Sequence, residues 1–166
     1  MAEKRCCIIG KRSKTEKEAR EAKKAVRKAL SVFENVIKSN CTHFIIGVTT
    51  EADILAAEII ASLKDKNPNV VLVLAVQNDA MICFAPNEIK TLFLENKIDL
   101  VHIEQKDHDP LDEKECYECM IDRSDFVIEI FDECKNIDVY EKWIYANVRK
   151  KYKKIITIIS KNNLHF

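Results

Sequence analysis

The chain has 166 residues, 47% hydrophobic and 33% charged, with 27 basic and 27 acidic side chains and a formal net charge of zero. That size and balance describe one soluble globular domain able to bury its own core, and they exclude a disordered chain. They supply no overall electrostatic bias toward nucleic acid or an anionic membrane, and no apolar run approaches the roughly 18 residues of a membrane span.

The start, Met1 to Ile9, carries too short an apolar stretch for a signal peptide, so the expected location is the cytoplasm. Seven cysteines (Cys6, Cys7, Cys41, Cys83, Cys116, Cys119 and Cys134) fit reduced intracellular thiols better than a disulfide framework. Only Gly10 and Gly47 occur, where average usage of about 7% gives on the order of a dozen glycines. A Gly-rich phosphate-cradling loop is therefore absent.

In chain order, Arg5–Ile9 reads as a first, central strand ending at Gly10. Ser13 with Glu16, or Thr15 with Glu18, offers a capping box. Ala22, Val26, Ala29, Leu30, Phe33, Val36 and Ile37 then recur at helical spacing, predicting one helix through Ser39. Lys14, Lys17, Arg20, Lys24, Arg27 and Lys28 occupy its other side, which reads first as a solvated face. His43–Gly47 is a second strand and Thr50–Leu63 a second helix.

Val70–Val76, an unbroken run of valine, leucine and alanine, is the mark of a strand covered on both faces in a parallel sheet. Gln77–Pro86 is an apolar connection in which Met81–Phe84 suits either a dimer surface or a lid. A helix over Asn87–Asn96, a strand over Ile98–Ile103, and a polar loop over His102–Glu113 follow. Then come a helix over Asp112–Arg123, a strand over Phe126–Phe131, a helix over Val139–Lys150 and a strand over Lys154–Ser160. Residues 1–160 make one domain, and Lys161–Phe166 a loose tail.

This alternation predicts an α/β fold: a three-layer, Rossmann-like, doubly wound and mainly parallel sheet of about six strands, in the order 3-2-1-4-5. In such sheets ligands sit at the carboxyl ends of the strands, where helix N-termini present unpaired N–H groups. Three junctions share that edge: Gly10-Lys11-Arg12-Ser13, Gly47–Asp53 and Asp132–Asn136. The expected ligand-binding residues are Gly10, Lys11, Arg12, Gly47, Thr49, Thr50 and Asp53. Lys11 and Arg12 supply positive charge, Thr49 and Thr50 hydroxyls, and Asp53 an acceptor. The plainer alternative is that Thr49 or Thr50 caps the helix and Asp53 sits in its first turn against the dipole.

Other constellations read as structural. Cys116-x-x-Cys119 falls inside a helix rather than at the helix N-terminus that lowers a redox thiol's pKa. A zinc site there needs two more ligands, and His108 and Cys134 lack the spacing. Asp107-His108-Asp109 reads as a solvated acidic loop. No metal and no cofactor is expected. No nucleophile elbow occurs, and Asp53 and Glu51 are the only weak catalytic candidates, so the balance leans away from an enzyme.

Three stretches share a further resemblance. Cys6-Cys7-Ile8-Ile9-Gly10-Lys11-Arg12 is similar to the C-x-x-G-[HY]-[RK] opening of YpsA-like proteins, a branch of the SLOG superfamily. Phe44-Ile45-Ile46-Gly47-Val48-Thr49-Thr50-Glu51-Ala52-Asp53 and the following Ile-Leu-Ala-Ala-Glu resemble its F-I-S-G-M-A-x-G-x-D-x-x-A-A-E. Met120-Ile121-Asp122-Arg123-Ser124-Asp125 resembles its M-V-D-x-S-D. The resemblance implies a pocket for a nucleotide-derived ligand, lined by Gly10, Arg12, Gly47 and Asp53.

The chain departs from that pattern at Glu51, which replaces a glycine and sets an anion at a helix N-terminus, and at Asp132–Val139, which lacks glycine. The expectation is a non-catalytic, homo-oligomeric sensor of a nucleoside-like molecule with a degenerate phosphate site, and with no membrane or nucleic-acid partner. The alternatives are an N-glycosidase or nucleoside-transferring enzyme, and an oligomerising structural protein without a ligand.

Overall fold

The computed structural model describes residues 3–10, 16–47, 51–76, 85–102, 113–131, 154–159 and 164–165. The fold is α/β. In chain order the described elements begin with β1 (Lys4–Gly10), α1 (Glu16–Lys28), α2 (Leu30–Lys38), β2 (Cys41–Ile46), α3 (Glu51–Lys66) and β3 (Val71–Val76). They continue with α4 (Asn87–Leu94), β4 (Ile98–His102), α5 (Glu113–Asp122), β5 (Phe126–Phe131), β6 (Lys154–Ile159) and β7 (Leu164–His165).

Among the described residues the strands form a single sheet in the order β4-β3-β2-β1-β5-β6-β7. Strands β1 to β6 pair in parallel, and β7 joins β6 antiparallel. The expected order 3-2-1-4-5 is corrected here: β4 lies outside β3 and β5 takes the place beside β1. The physical reason is visible in Ile98-Asp99-Leu100-Val101-His102. Ile98 is buried and Asp99 exposed, an alternation that suits a strand at the end of a sheet and not one enclosed on both sides. Leu164 and His165, expected in a loose tail, pair with Ile158 and Thr157.

Alternate residues of one strand point to opposite faces, and β1 divides the core accordingly. Cys6 and Ile8 join a large cluster with Val26 of α1, Phe33 of α2, Ile60 of α3 and Ile89 of α4. Cys7 and Ile9 join a smaller one with Tyr117, Met120 and Ile121 of α5. Helices therefore pack against both sides of the sheet. All of β3 except Val71 is buried, as its unbroken apolar run requires.

The single helix expected through Ser39 is two helices. At Ala29 the backbone N–H reaches only three residues back, to Val26 O at 3.0 Å, and helix resumes with Phe33 N–H bonding Ala29 O. The second segment sets Phe33 edge-on to Phe44 of β2, with centroids 6.3 Å apart and planes at 77°. Such a pair adds about 0.5–1.5 kcal/mol beyond its area.

Scarce glycine is replaced by asparagine where helices end. Asn40 (φ 68°) follows α2 and Asn96 (φ 56°) follows α4, both left-handed positions that asparagine tolerates. After α4 the Lys97 N–H returns to Leu92 O at 3.0 Å, closing the last turn. Among the described residues no helix is long and apolar enough to cross a membrane.

Candidate functional site

The strand order fixes where the two halves of the sheet diverge. From β1 the chain proceeds outward through β2, β3 and β4, then returns to the other side of β1 with β5. The crevice of such a sheet opens at the carboxyl ends of the strands beside that divergence. There Gly10 ends β1 opposite Ile130 of β5, and Ile46 ends β2 immediately before Gly47.

Asp53 is the third residue of α3 and is fully buried. A Cβ built at Gly47 would stand 3.0 Å from its Oδ2 and 3.6 Å from its Cγ. Gly47 does not have a positive φ. This glycine thus makes room for a carboxylate of its own chain, not for an unusual backbone conformation. The carboxylate lies in the first turn of α3, where the helix dipole favours a negative charge.

A second buried carboxylate, Glu129, escaped the sequence reading. It pairs in register with Ile9 of β1 and Thr157 of β6, one step before the Ile130–Gly10 pair. It is fully buried. Two residues beyond Val127, it faces the α5 side of the sheet. Its signal was the charge inside Phe-Val-Ile-Glu-Ile-Phe, since an ionised group in a covered strand is costly unless its surroundings hold it. Asp53 and Glu129 are the charged side chains buried among the described residues, and each takes part in interactions within the chain.

Helix α5 grips the same edge. The buried Tyr117 hydroxyl donates to Gly10 O at 3.3 Å across 107 residues of sequence, holding the end of β1 against α5. Cys119, in the same helix, is half-buried and accepts a hydrogen bond from the Arg123 guanidinium. Its CxxC partner Cys116 lies one turn earlier in α5, inside the helix as expected. Among the described residues no three His, Cys, Asp or Glu side chains gather to hold a metal ion.

Of the expected ligand-binding residues, the structure describes Gly10, Gly47 and Asp53. The catalytic candidate Glu51 is the first residue of α3. Gly47 and Asp53 are brought together. Lys11, Arg12, Thr49 and Thr50 lie outside the described residues, as do Met81–Phe84, Asp107–Asp109, Asp132–Asn136 and the helix expected over Val139–Lys150.

Residues 1–78 match the family model of the glutathione S-transferase C-terminal domain. The match runs from the chain start to just past β3, somewhat under half of the 166 residues. No curated protein matches the chain.

The match overturns the SLOG, YpsA-like resemblance, and with it the expected sensing of a nucleotide-derived molecule and the nucleotide-binding assignment. Neither the N-glycosidase alternative nor the ligand-free structural one gains from it. The structure supplies the physical reason why those motifs misled. Phe44, Ile46, Ala56 and Ala57 are core, and Gly47 clears the Asp53 carboxylate.

The Met120–Asp125 stretch is equally structural. Ser124 Oγ donates to Met120 O at 2.8 Å where α5 ends. Asp125 Oδ2 accepts from Arg5 N–H at 2.9 Å, while Asp125 N–H donates to Arg5 O at 2.8 Å, which locks the start of β5 to β1. Junctions between helix and strand in parallel sheets ask for such residues whatever the family.

Proposed function

We propose that this chain is a small-molecule-binding α/β domain whose ligand sits at the carboxyl ends of β1, β2 and β5, and that glutathione is the first ligand to test. In this reading the sheet is a three-layer, doubly wound one. The observation that carries it is the divergence of the chain between β1 and β5, with two buried carboxylates within a turn of that edge. Gly10 and Gly47 lie at the floor, with the Asp53 carboxylate buried behind Gly47. Lys11 and Arg12 meet ligand carboxylates, and Thr49 and Thr50 supply hydroxyls.

The similarity of residues 1–78 to a glutathione S-transferase domain supports the tripeptide, whose carboxylates suit Lys11 and Arg12. The role in this reading is binding; among the described residues no nucleophile and base are paired at the edge. The experiment is a thermal-shift titration with glutathione, an S-alkyl glutathione and free cysteine. Ligand at about 100 times its dissociation constant adds roughly 2.7 kcal/mol, which raises Tm by about 5–11 °C in a domain of this size. Arg12→Ala diminishes the shift. A wild-type Tm unmoved by millimolar glutathione overturns the assignment.

A further inference from the structure

We infer that the chain associates with further copies of itself, the outer face of α1 on one copy docking the outer face of α5 on the next. The two helices lie on opposite sides of the sheet, because Val26 packs in the cluster with Cys6 and Ile8, and Met120 in the one with Cys7 and Ile9. Their charges are opposite and equal. Helix α1 carries six basic residues against three acidic, a net +3. Helix α5 carries four acidic against one basic, a net −3.

The charge is presented outward. Lys17, Arg20, Lys23, Lys24, Arg27 and Lys28 are all exposed. With 3.6 residues per turn they fall on one broad arc, away from the buried Val26. On α5 the exposed Glu118 and Asp122 stand one turn apart, flanking the arc of the buried Tyr117, Met120 and Ile121. At a rise of 1.5 Å per residue the helices are about 20 and 15 Å long, so one can lie along the other. A chain with zero net charge offers no general attraction for a polyanion, and it carries its own matching acidic surface. Base stacking would need exposed aromatics, and the one among the described residues' exposed large apolar side chains, Phe93, lies on α4.

Such an interface joins two different surfaces and so is heterologous. Copies add head to tail, and the assembly grows with concentration instead of stopping at a dimer. Attraction between exposed charges is screened by salt. This proposal stands apart from the ligand reading, since it uses exposed charges of α1 and α5 and none of Gly10, Gly47, Lys11, Arg12, Thr49 or Thr50.

The experiment is sedimentation velocity with light scattering on the whole chain. Average mass should rise at least about twofold on going from roughly 0.5 M to 0.02 M salt. A Lys17→Glu/Arg20→Glu/Arg27→Glu variant and a Glu118→Lys/Asp122→Lys variant should each stay monomeric at low salt. Mixed together they should associate again, because each then offers the face the other lost. Exposed substitutions of this kind shift stability by about 0.5 kcal/mol or less each, and Lys17→Gln/Arg27→Gln serves as the milder form. A mass independent of salt, or a mixture that stays monomeric, overturns the proposal. So does a monomer that binds an oligothymidylate through Lys17, Arg20 and Arg27, which would assign the face to nucleic acid.

Discussion

Replacing Gly47 by alanine tests the packing that shapes the candidate site. The added methyl would stand 3.0 Å from Asp53 Oδ2 and 3.8 Å from Oδ1. That is about half an ångström inside the ~3.5 Å at which carbon and its neighbours pack best. Asp53 is fully buried in the first turn of α3, so it cannot swing into solvent without opening that turn. Overfilling such a site costs about 1–3 kcal/mol. Against this, alanine restricts the unfolded chain and returns about 0.4–1 kcal/mol, because Gly47 has no positive φ to strain it.

The net expectation is a loss of roughly 0.5–2 kcal/mol, read as a fall in Tm of about 1–8 °C. Urea melts followed by circular dichroism measure it in two backgrounds. With Asp53→Ala already present, the methyl meets no carboxylate, and Gly47→Ala becomes neutral or stabilising. The double-mutant cycle should therefore return a coupling of about 1 kcal/mol or more between the two positions. Equal losses in both backgrounds would refute the argument, and so would a more stable Gly47→Ala single variant.

Two further outcomes follow from the same physics. Burial of Cys6, with the Cys41 and Cys7 thiols adding to it, holds its pKa well above the ordinary 9.0. The folded chain then keeps a proton that the unfolded chain releases, so stability is full below pH 9 and falls as pH rises beyond it, by up to about 1.4 kcal/mol per pH unit. Urea melts of a Cys6→Ala variant should show a slope shallower by up to one proton, and an unchanged slope would contradict the assignment. At the end of α4, Asn96 is exposed with φ 56°. Asn96→Ala should lower stability by about 1 kcal/mol and Asn96→Gly should not, and equal melting of the two would remove the left-handed backbone as the cause.

Much of the fold was legible in local pattern. The β-branched run of Val71–Val76 announced a covered parallel strand, and β1 to β6 each lie within two residues of where alternation and turn residues put them, whereas β7 falls in the expected tail. The break at Ala29 was not legible, because apolar spacing continues across it and what sets the second helix apart is the contact of Phe33 with Phe44. The position of β4 followed from Asp99 only in retrospect, since strand order is decided by which edges meet and not by any one strand's residues.

For the site, sequence found Gly47 and Asp53 but gave them the wrong relation. It read the glycine as part of a ligand turn, whereas the close approach is to the chain's own carboxylate. It passed over Glu129 because one charge in a strand gains meaning only when both neighbouring strands are known.

What the sequence determined by itself is the alternation of buried strands and amphipathic helices, since 2-residue and 3.6-residue apolar periods are local properties of the backbone. What only the tertiary structure decided is which residues far apart in the chain share an edge. Tyr117 on Gly10, Asp125 on Arg5, and Glu129 beside Ile9 are pairings across more than a hundred residues. No local preference encodes such contacts, because each exists only after the central strands have closed side by side.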